Sequence, residues 1–331
     1  MKVIHFFAIT AMAAAMITSC SSEDELSQSN YPSDNIVRVT AGVNNAKTRA
    51  EGTGVSAMNK DFSLTIVNKN AESTLANKYT YINKVFSKKT GDWVCSETLL
   101  WQNATTPVDI VAFAPAQVDK FNGVYADGSI KPITYSIATD QSTSSDNNDL
   151  LYYYAPGFKP GDKLVDEKLN IQFNHAFCMI DINVTLGTEF NKPKGLDDSP
   201  IIKVTLGGTK IAANVDVKNA TSIVTASGEA TNITTTQGTF TPAPDKNAEK
   251  NAISRFSCIA IPQTVAAGTF KVSLMTAGKL YEWTSVEPVE LKSGNRYTLE
   301  LTMGNNVVLL KDDKITASPW TEGTGGTLET D

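Results

Sequence analysis

Histidine, arginine and cysteine are scarce in this sequence, and each scarcity excludes a class of chemistry. The 331 residues include two histidines, and His5 falls in an N-terminal leader. The other, His175, cannot by itself furnish a multi-histidine metal site, and a His-based triad would have one residue to draw on. Cys95, Cys178 and Cys258 are far apart, and once Cys20 is set aside their odd number makes no disulfide framework. All three sit in apolar, strand-like runs and read as small core residues. There is no G-x-S-x-G, C-x-x-C, H-E-x-x-H or phosphate-cradling glycine loop. Basic residues are outnumbered, Lys+Arg 29 against Asp+Glu 35 for a net charge of −6, so no basic footprint for nucleic acid exists. The expectation is a non-enzyme with no cofactor, no metal and no nucleic-acid partner. Asp146-Asn147-Asn148-Asp149 clusters oxygens without the spacing or the bidentate Glu of a calcium loop, and reads as a solvated turn.

The apolar run Val3–Ile17 is shorter than the ~20 residues of a membrane-spanning helix. It follows Lys2 and precedes small residues, so residues 1–19 read as a signal peptide. Ile17-Thr18-Ser19-Cys20 resembles a bacterial lipobox, which implies lipid on Cys20 and anchorage to the outer membrane without a spanning helix. Residues 20–34 begin Ser21-Ser22-Glu23-Asp24-Glu25 after the cysteine, an acidic tether that cannot form a core. Such a run resembles the signal that carries Bacteroidetes lipoproteins to the outer face of the outer membrane.

Helix-period segments with caps are almost absent, whereas period-2 alternation of β-branched residues recurs throughout. Phe62, Leu64 and Ile66 form one such set; others are Val108, Ile110 and Ala112, then Ile202, Val204 and Leu206, then Tyr297, Leu299, Leu301 and Met303. Turn clusters separate them at Lys89-Thr90-Gly91-Asp92, Leu206-Gly207-Gly208-Thr209 and Ala277-Gly278-Lys279. Many short strands at this spacing indicate an all-β chain of sandwich or barrel type. Its length suits two domains, with a boundary at the Pro- and Gly-rich stretch 155–162, giving units 35–162 and 163–331. From Leu169 to Leu186 the apolar phase slips by one residue near Met179, which predicts a β-bulge or a crossover between sheets. His175 lies in the apolar phase there and reads as a hydrogen-bonded core residue.

Ile36–Val43 reads as the first strand, with Ile36, Val37, Val39, Ala41 and Val43 as its apolar positions. Residues 44–54 then form a polar, glycine-containing loop around Arg49, one of only four arginines (Arg38, Arg49, Arg255, Arg296), where a protease finds extended backbone. Trp93, Trp101, Trp283, Trp320 and Tyr152-Tyr153-Tyr154 supply aromatics for packing or, in the alternative, for stacking on sugars.

Taken together, these features resemble the fimbrillin-like (Mfa-like) family, surface pilins and pilus-associated lipoproteins of Bacteroidales. The likeness rests on the lipobox at Cys20, Thr48-Arg49-Ala50 past the first strand, Asp149-Leu150-Leu151-Tyr152 followed by Phe173-Asn174-His175-Ala176, and Leu291–Tyr297 followed by Ile315–Trp320. The resemblance implies two tandem transthyretin-like β-sandwich domains and assembly by strand exchange. An arginine-specific surface protease would cut between Arg49 and Ala50, the first strand would leave with the lipid, and a strand of another pilus subunit would fill the groove. Within 307–320 the donor or terminal strands would be Val307, Val308, Leu309 and Leu310 or Ile315–Trp320, because the tail after Trp320 offers only Leu328 as an apolar residue. If those strands belong to the chain's own second domain, a tip or accessory role is implied; otherwise a stalk role. A host or bacterial adhesion target would be a further partner. A surface glycan-binding lipoprotein is the alternative.

Overall fold

The computed structural model describes residues 30–44, 55–116, 129–145, 148–190, 198–244, 251–304, 306–311 and 314–320. The chain is all-β among these residues apart from short helical turns such as α1 (Ser73–Lys78) and α2 (Pro160–Lys163). In chain order the first nine strands are β1 (Arg38–Asn44), β2 (Val55–Ala57), β3 (Phe62–Asn68), β4 (Tyr81–Lys89), β5 (Asp92–Cys95), β6 (Val108–Ala114), β7 (Ile133–Ser136), β8 (Leu151–Phe158) and β9 (Lys168–His175). Eight of them form one sheet in the order β2-β1-β9-β8-β6-β3-β4-β5. Strands β8 and β9 pair only at Leu151↔His175 and Tyr152↔Asn174. The sheet therefore folds over at this seam, and Val37 N–H to Leu99 O (2.9 Å) and Trp101 N–H to Asn35 O (2.8 Å) join its far sides. Inside lie Phe62, Leu64, Ile66, Phe86, Ile110, Leu169, Ile171 and Phe173, all buried.

The second unit uses β10 (Cys178–Leu186), β11 (Ile201–Val215), β12 (Val224–Thr234), β13 (Thr236–Thr241), β14 (Ile253–Ala260), β15 (Gln263–Val265), β16 (Lys271–Thr276), β17 (Leu280–Thr284), β18 (Val289–Leu291), β19 (Asn295–Met303), β20 (Val308–Leu310) and β21 (Thr316–Pro319). One layer runs β13-β14-β10-β19-β20 with β21 also on β19, and the other runs β12-β11-β16-β17 with β7 also on β11. Strands β15 and β18 form a separate two-stranded ladder. Sheet faces with alternating apolar residues bury them only by packing face to face, so two β-sandwich units result.

The phase slip near Met179 is a crossover. Strand β9 ends at His175, Ala176 and Phe177 turn the chain, and β10 starts the other unit's sheet at Cys178. Apolar residues thus face one core before the turn and the second core after it. In the stretch 155–162, expected to separate the units, Ala155–Phe158 belong to β8, α2 follows, and Gly161 N–H bonds Ala104 O at 2.8 Å. Residues 163–175, assigned from the sequence to the second unit, contribute β9 to the first sheet. The hairpin at Ala277-Gly278 forms as the spacing predicts, with Met275 paired to Leu280. The cluster Leu206-Gly207-Gly208-Thr209, expected as a turn, is instead a β-bulge inside the 15-residue β11. Gly208 takes φ +85°, and a Cβ there would stand 2.0 Å from Thr269 O, so a continuous strand is kept by glycine at a close backbone approach.

Candidate functional site

Two features converge on the seam between the units. The first is strand β1. Alternation puts Val37, Val39 and Val43 into the first core, buried, with Ala41 packed beside them half-buried, as the sequence pattern requires. Ile36 lies just outside the strand and forms a bridge with Leu100. Strand β1 runs parallel to β9 over six residue pairs, Arg38↔Lys168 to Val43↔Phe173, whereas on its other side β2 covers only Gly42, Val43 and Asn44. Its start is pinned by Asp34, whose carboxylate takes both Arg38 Nη1 (2.9 Å) and Nη2 (2.5 Å) and the Ile36 N–H (3.0 Å). The Arg38 guanidinium first, and then that backbone bond, hold the Asp34 carboxyl down at about 2. Because this pair is exposed, it registers the strand more than it stabilises it.

On the polar face of the same pairing, Thr40 Oγ1 donates to Asn170 Oδ1 (3.2 Å) and Asn44 Nδ2 to Asn174 Oδ1 (3.0 Å). Gln172 Nε2 donates to Asn170 Oδ1 at 2.6 Å, making a ladder of three amides along β9. Asn44 is then joined through residues 45–54 to Val55, its pairing partner in β2. Arg49 and Ala50 fall in that connection and Cys20 precedes the first described residue, so these three expected sites lie outside the described residues.

The second feature is the end of the chain. Strands β20 and β21 both pair antiparallel with β19, at Met303↔Val308 to Leu301↔Leu310 and at Thr298↔Thr316 to Asn295↔Pro319. Val308 is buried, Leu310 and Ile315 pack against the second core, and Val307 and Leu309 are exposed. Trp320 is buried, its N–H bonds Gly294 O at 2.7 Å, and its ring stacks on His175 with centroids 3.8 Å apart and planes 13° from parallel. His175 Nδ1 in turn meets Asp149 Oδ2 at 3.0 Å, both side chains buried. Asp149-Leu150-Leu151-Tyr152, Phe173–Ala176, Leu291–Tyr297 and Ile315–Trp320, scattered along the sequence, thus meet at one node. Ala176 N–H to Leu150 O and Gly294 N–H to Phe177 O, 2.8 and 2.9 Å, complete it. A shallow cavity of about 380 Å³ opens at this node between Asn44, Asn174, His175, Ser293, Pro319 and Trp320. The juxtaposition of Asn44 with Trp320 has no signal in the sequence; only the crossover at 176–177 creates it.

His175 Nε2 is buried with no hydrogen-bond partner among the described residues. Asn148 Oδ1 accepts from Ala138 N–H (2.6 Å) and Asp149 Oδ2 meets His175, while Asp146 and Asn147 of the same cluster lie outside the described residues; among the described residues no group of His, Cys, Asp and Glu could hold a metal ion. Cys178 and Cys258 are buried and unpaired and Cys95 is half-buried, with burial pushing the first two thiols up. The aromatics pack inward as well. Trp101 is buried and stacks on Phe158, Trp93 leans on Phe62, Trp283 on Phe270, and Tyr153 faces the first core while Tyr152 and Tyr154 face the second. Arg296, in β19, grips Asp181 with Nε and, at 3.2 Å, with Nη2.

The described residues thus form an all-β body of two fused sandwiches that share a seam. The chain belongs to the fimbrillin-like family, whose sequence profile matches residues 48–320. Its fold is similar to that of a Bacteroides ovatus protein assigned to cell adhesion, with TM-score 0.60 and 16% identity over 88% of this chain and 100% of that one. A Bacteroides uniformis protein of the same assignment gives TM-score 0.56 and 15% identity over 87% and 100%. A comparison with curated proteins gives no match. Family membership makes the chain a pilus subunit or adhesin of the cell surface.

Proposed function

We propose that this chain is a strand-accepting fimbrial subunit, exported as a lipoprotein through Cys20 and activated by cleavage between Arg49 and Ala50. An arginine-specific surface protease makes the cut, the segment carrying Ile36, Val37, Val39, Ala41 and Val43 departs, and a strand of another pilus subunit enters the groove along β9. The observation that carries this reading is the asymmetry of β1, with six paired residues on β9 and three on β2. Removing three buried valines would forfeit about 4.5–9 kcal/mol, at about 1.5–3 kcal/mol each as an upper estimate. That rivals the 5–15 kcal/mol that typically stabilises a whole domain, so an emptied groove is strongly driven to refill. A sheet edge refills by backbone pairing with another strand.

The same reading assigns the subunit a tip or accessory position. Val307–Leu310 and Ile315–Trp320, the segments that would serve as donors, are paired to the chain's own β19 and anchored by Trp320. We take the first unit to run to His175, with the excursion through β7 serving the second. The test is assembly of the full-length lipoprotein with its fimbrial partners in the presence of an arginine-specific protease. Wild-type protein is expected to be cut after Arg49 and to enter complexes, and Arg49→Ala to stay whole and monomeric. Equal assembly by Arg49→Ala would reject cleavage as the trigger.

A further inference from the structure

The apolar side of the β1 groove is undemanding, since valine-sized residues fit it in many sequences. Its polar side is not. Strand β9 presents Asn170, Gln172 and Asn174 at alternate positions, the first two in register with Thr40 and Gly42 and the third bonded to Asn44. Two of the three pairs are hydrogen-bonded side chain to side chain, Thr40 to Asn170 and Asn44 to Asn174. The third is not: Gly42 has no side chain to offer, and Gln172 Oε1 is buried with no partner among the described residues. Gln172 Nε2 is already given to Asn170, so the orphan is specifically an acceptor. A buried acceptor left without a donor is costly, and sites built to hydrogen-bond a polar group discriminate far more sharply than apolar pockets.

We infer that the amide ladder Asn170–Gln172–Asn174 is the specificity element of the groove, a deepening that rests on the strand-exchange reading above. It selects an incoming strand of neutral character: apolar residues at the positions of Val39, Ala41 and Val43, a hydroxyl or carboxamide at those of Thr40 and Asn44, and a hydroxyl donor at that of Gly42. The resident strand is second best, because it leaves Gln172 Oε1 unmatched. A partner strand with serine in register with Gly42 satisfies that oxygen and displaces the resident strand. Charged residues at these positions are rejected, since the three amides offer no counter-charge.

The test uses the full chain with a specific protease site inserted between Arg49 and Ala50, so that nicking does not depend on arginine cleavage. The nicked protein is challenged with fluorescently labelled peptides of the Ile36–Asn44 sequence, and entry is followed by anisotropy. Thr40→Val and Asn44→Leu peptides are expected to bind at least about fivefold more weakly than the native sequence, and Gly42→Ser about fivefold more tightly. Gly42→Ala, which adds the carbon without the hydroxyl, should show no gain. On a Gln172→Met receptor the serine advantage should vanish, which assigns it to the amide. Equal entry of all peptides would overturn the ladder while leaving strand uptake intact. Entry of none, native sequence included, would overturn both.

Discussion

At the scale of the residue, Trp320 is the side chain on which most depends. It is the last described residue, yet it ties the terminal strands to the seam between units through Gly294 and stacks on a histidine held by Asp149. Truncating a buried aromatic of this kind costs about 3–5 kcal/mol through lost burial and the cavity left behind. Trp320→Ala is therefore expected to lower stability by about that much, read as a fall in the urea midpoint with little change in slope. An effect below about 1 kcal/mol would mean that the anchor carries little. The sequence shows that His175 sits in an apolar phase. It does not show that the histidine and tryptophan meet 145 residues apart, because no periodicity encodes a contact across two sheets.

At the scale of the element, strands were legible and their partners were not. Alternation finds β3, β6, β9, β10, β11 and β19 because a strand with one face in a core must alternate. It does not distinguish a turn from a bulge when both need glycine, which is why Leu206–Thr209 reads as a turn and is a bulge. Gly208→Ala tests that assignment. With φ +85° and Thr269 O where its Cβ would go, the substitution is expected to cost well over the ~1 kcal/mol of an ordinary Gly→Ala conflict, measured by thermal unfolding. A neutral result would place the bulge elsewhere. The terminal strands show the same limit: the patterns of Val307–Leu310 and Ile315–Trp320 suit a donor and an edge strand equally, and their pairing to the chain's own β19 has no signal in the sequence.

At the scale of the whole molecule, the two units are not beads on a linker. Val67, Val111 and Phe113 project from β3 and β6 of the first sheet into the second core, Tyr152 and Tyr154 pack against it from β8, and β7 is lent outright to β11. Residues 30–175 produced alone would expose this face. They are expected to aggregate or bind a hydrophobic dye, whereas the full chain unfolds in one cooperative transition by circular dichroism and tryptophan fluorescence. Two separated transitions, with a soluble first unit, would show that the shared core contributes little.

The amino-acid sequence by itself determined the all-β class, the lack of catalytic motifs, the apolar face of the first strand and the phase slip that marks the passage between sheets. These come from periodicity and residue type, which are local. The tertiary structure alone decided that the slip carries the chain from the first sheet into the second, that β1 lies parallel to β9 against a ladder of amides, and that Trp320 is anchored on His175 near the end of the first strand. Those are matters of which strands pair, and pairing is settled by the joint burial of faces far apart in sequence.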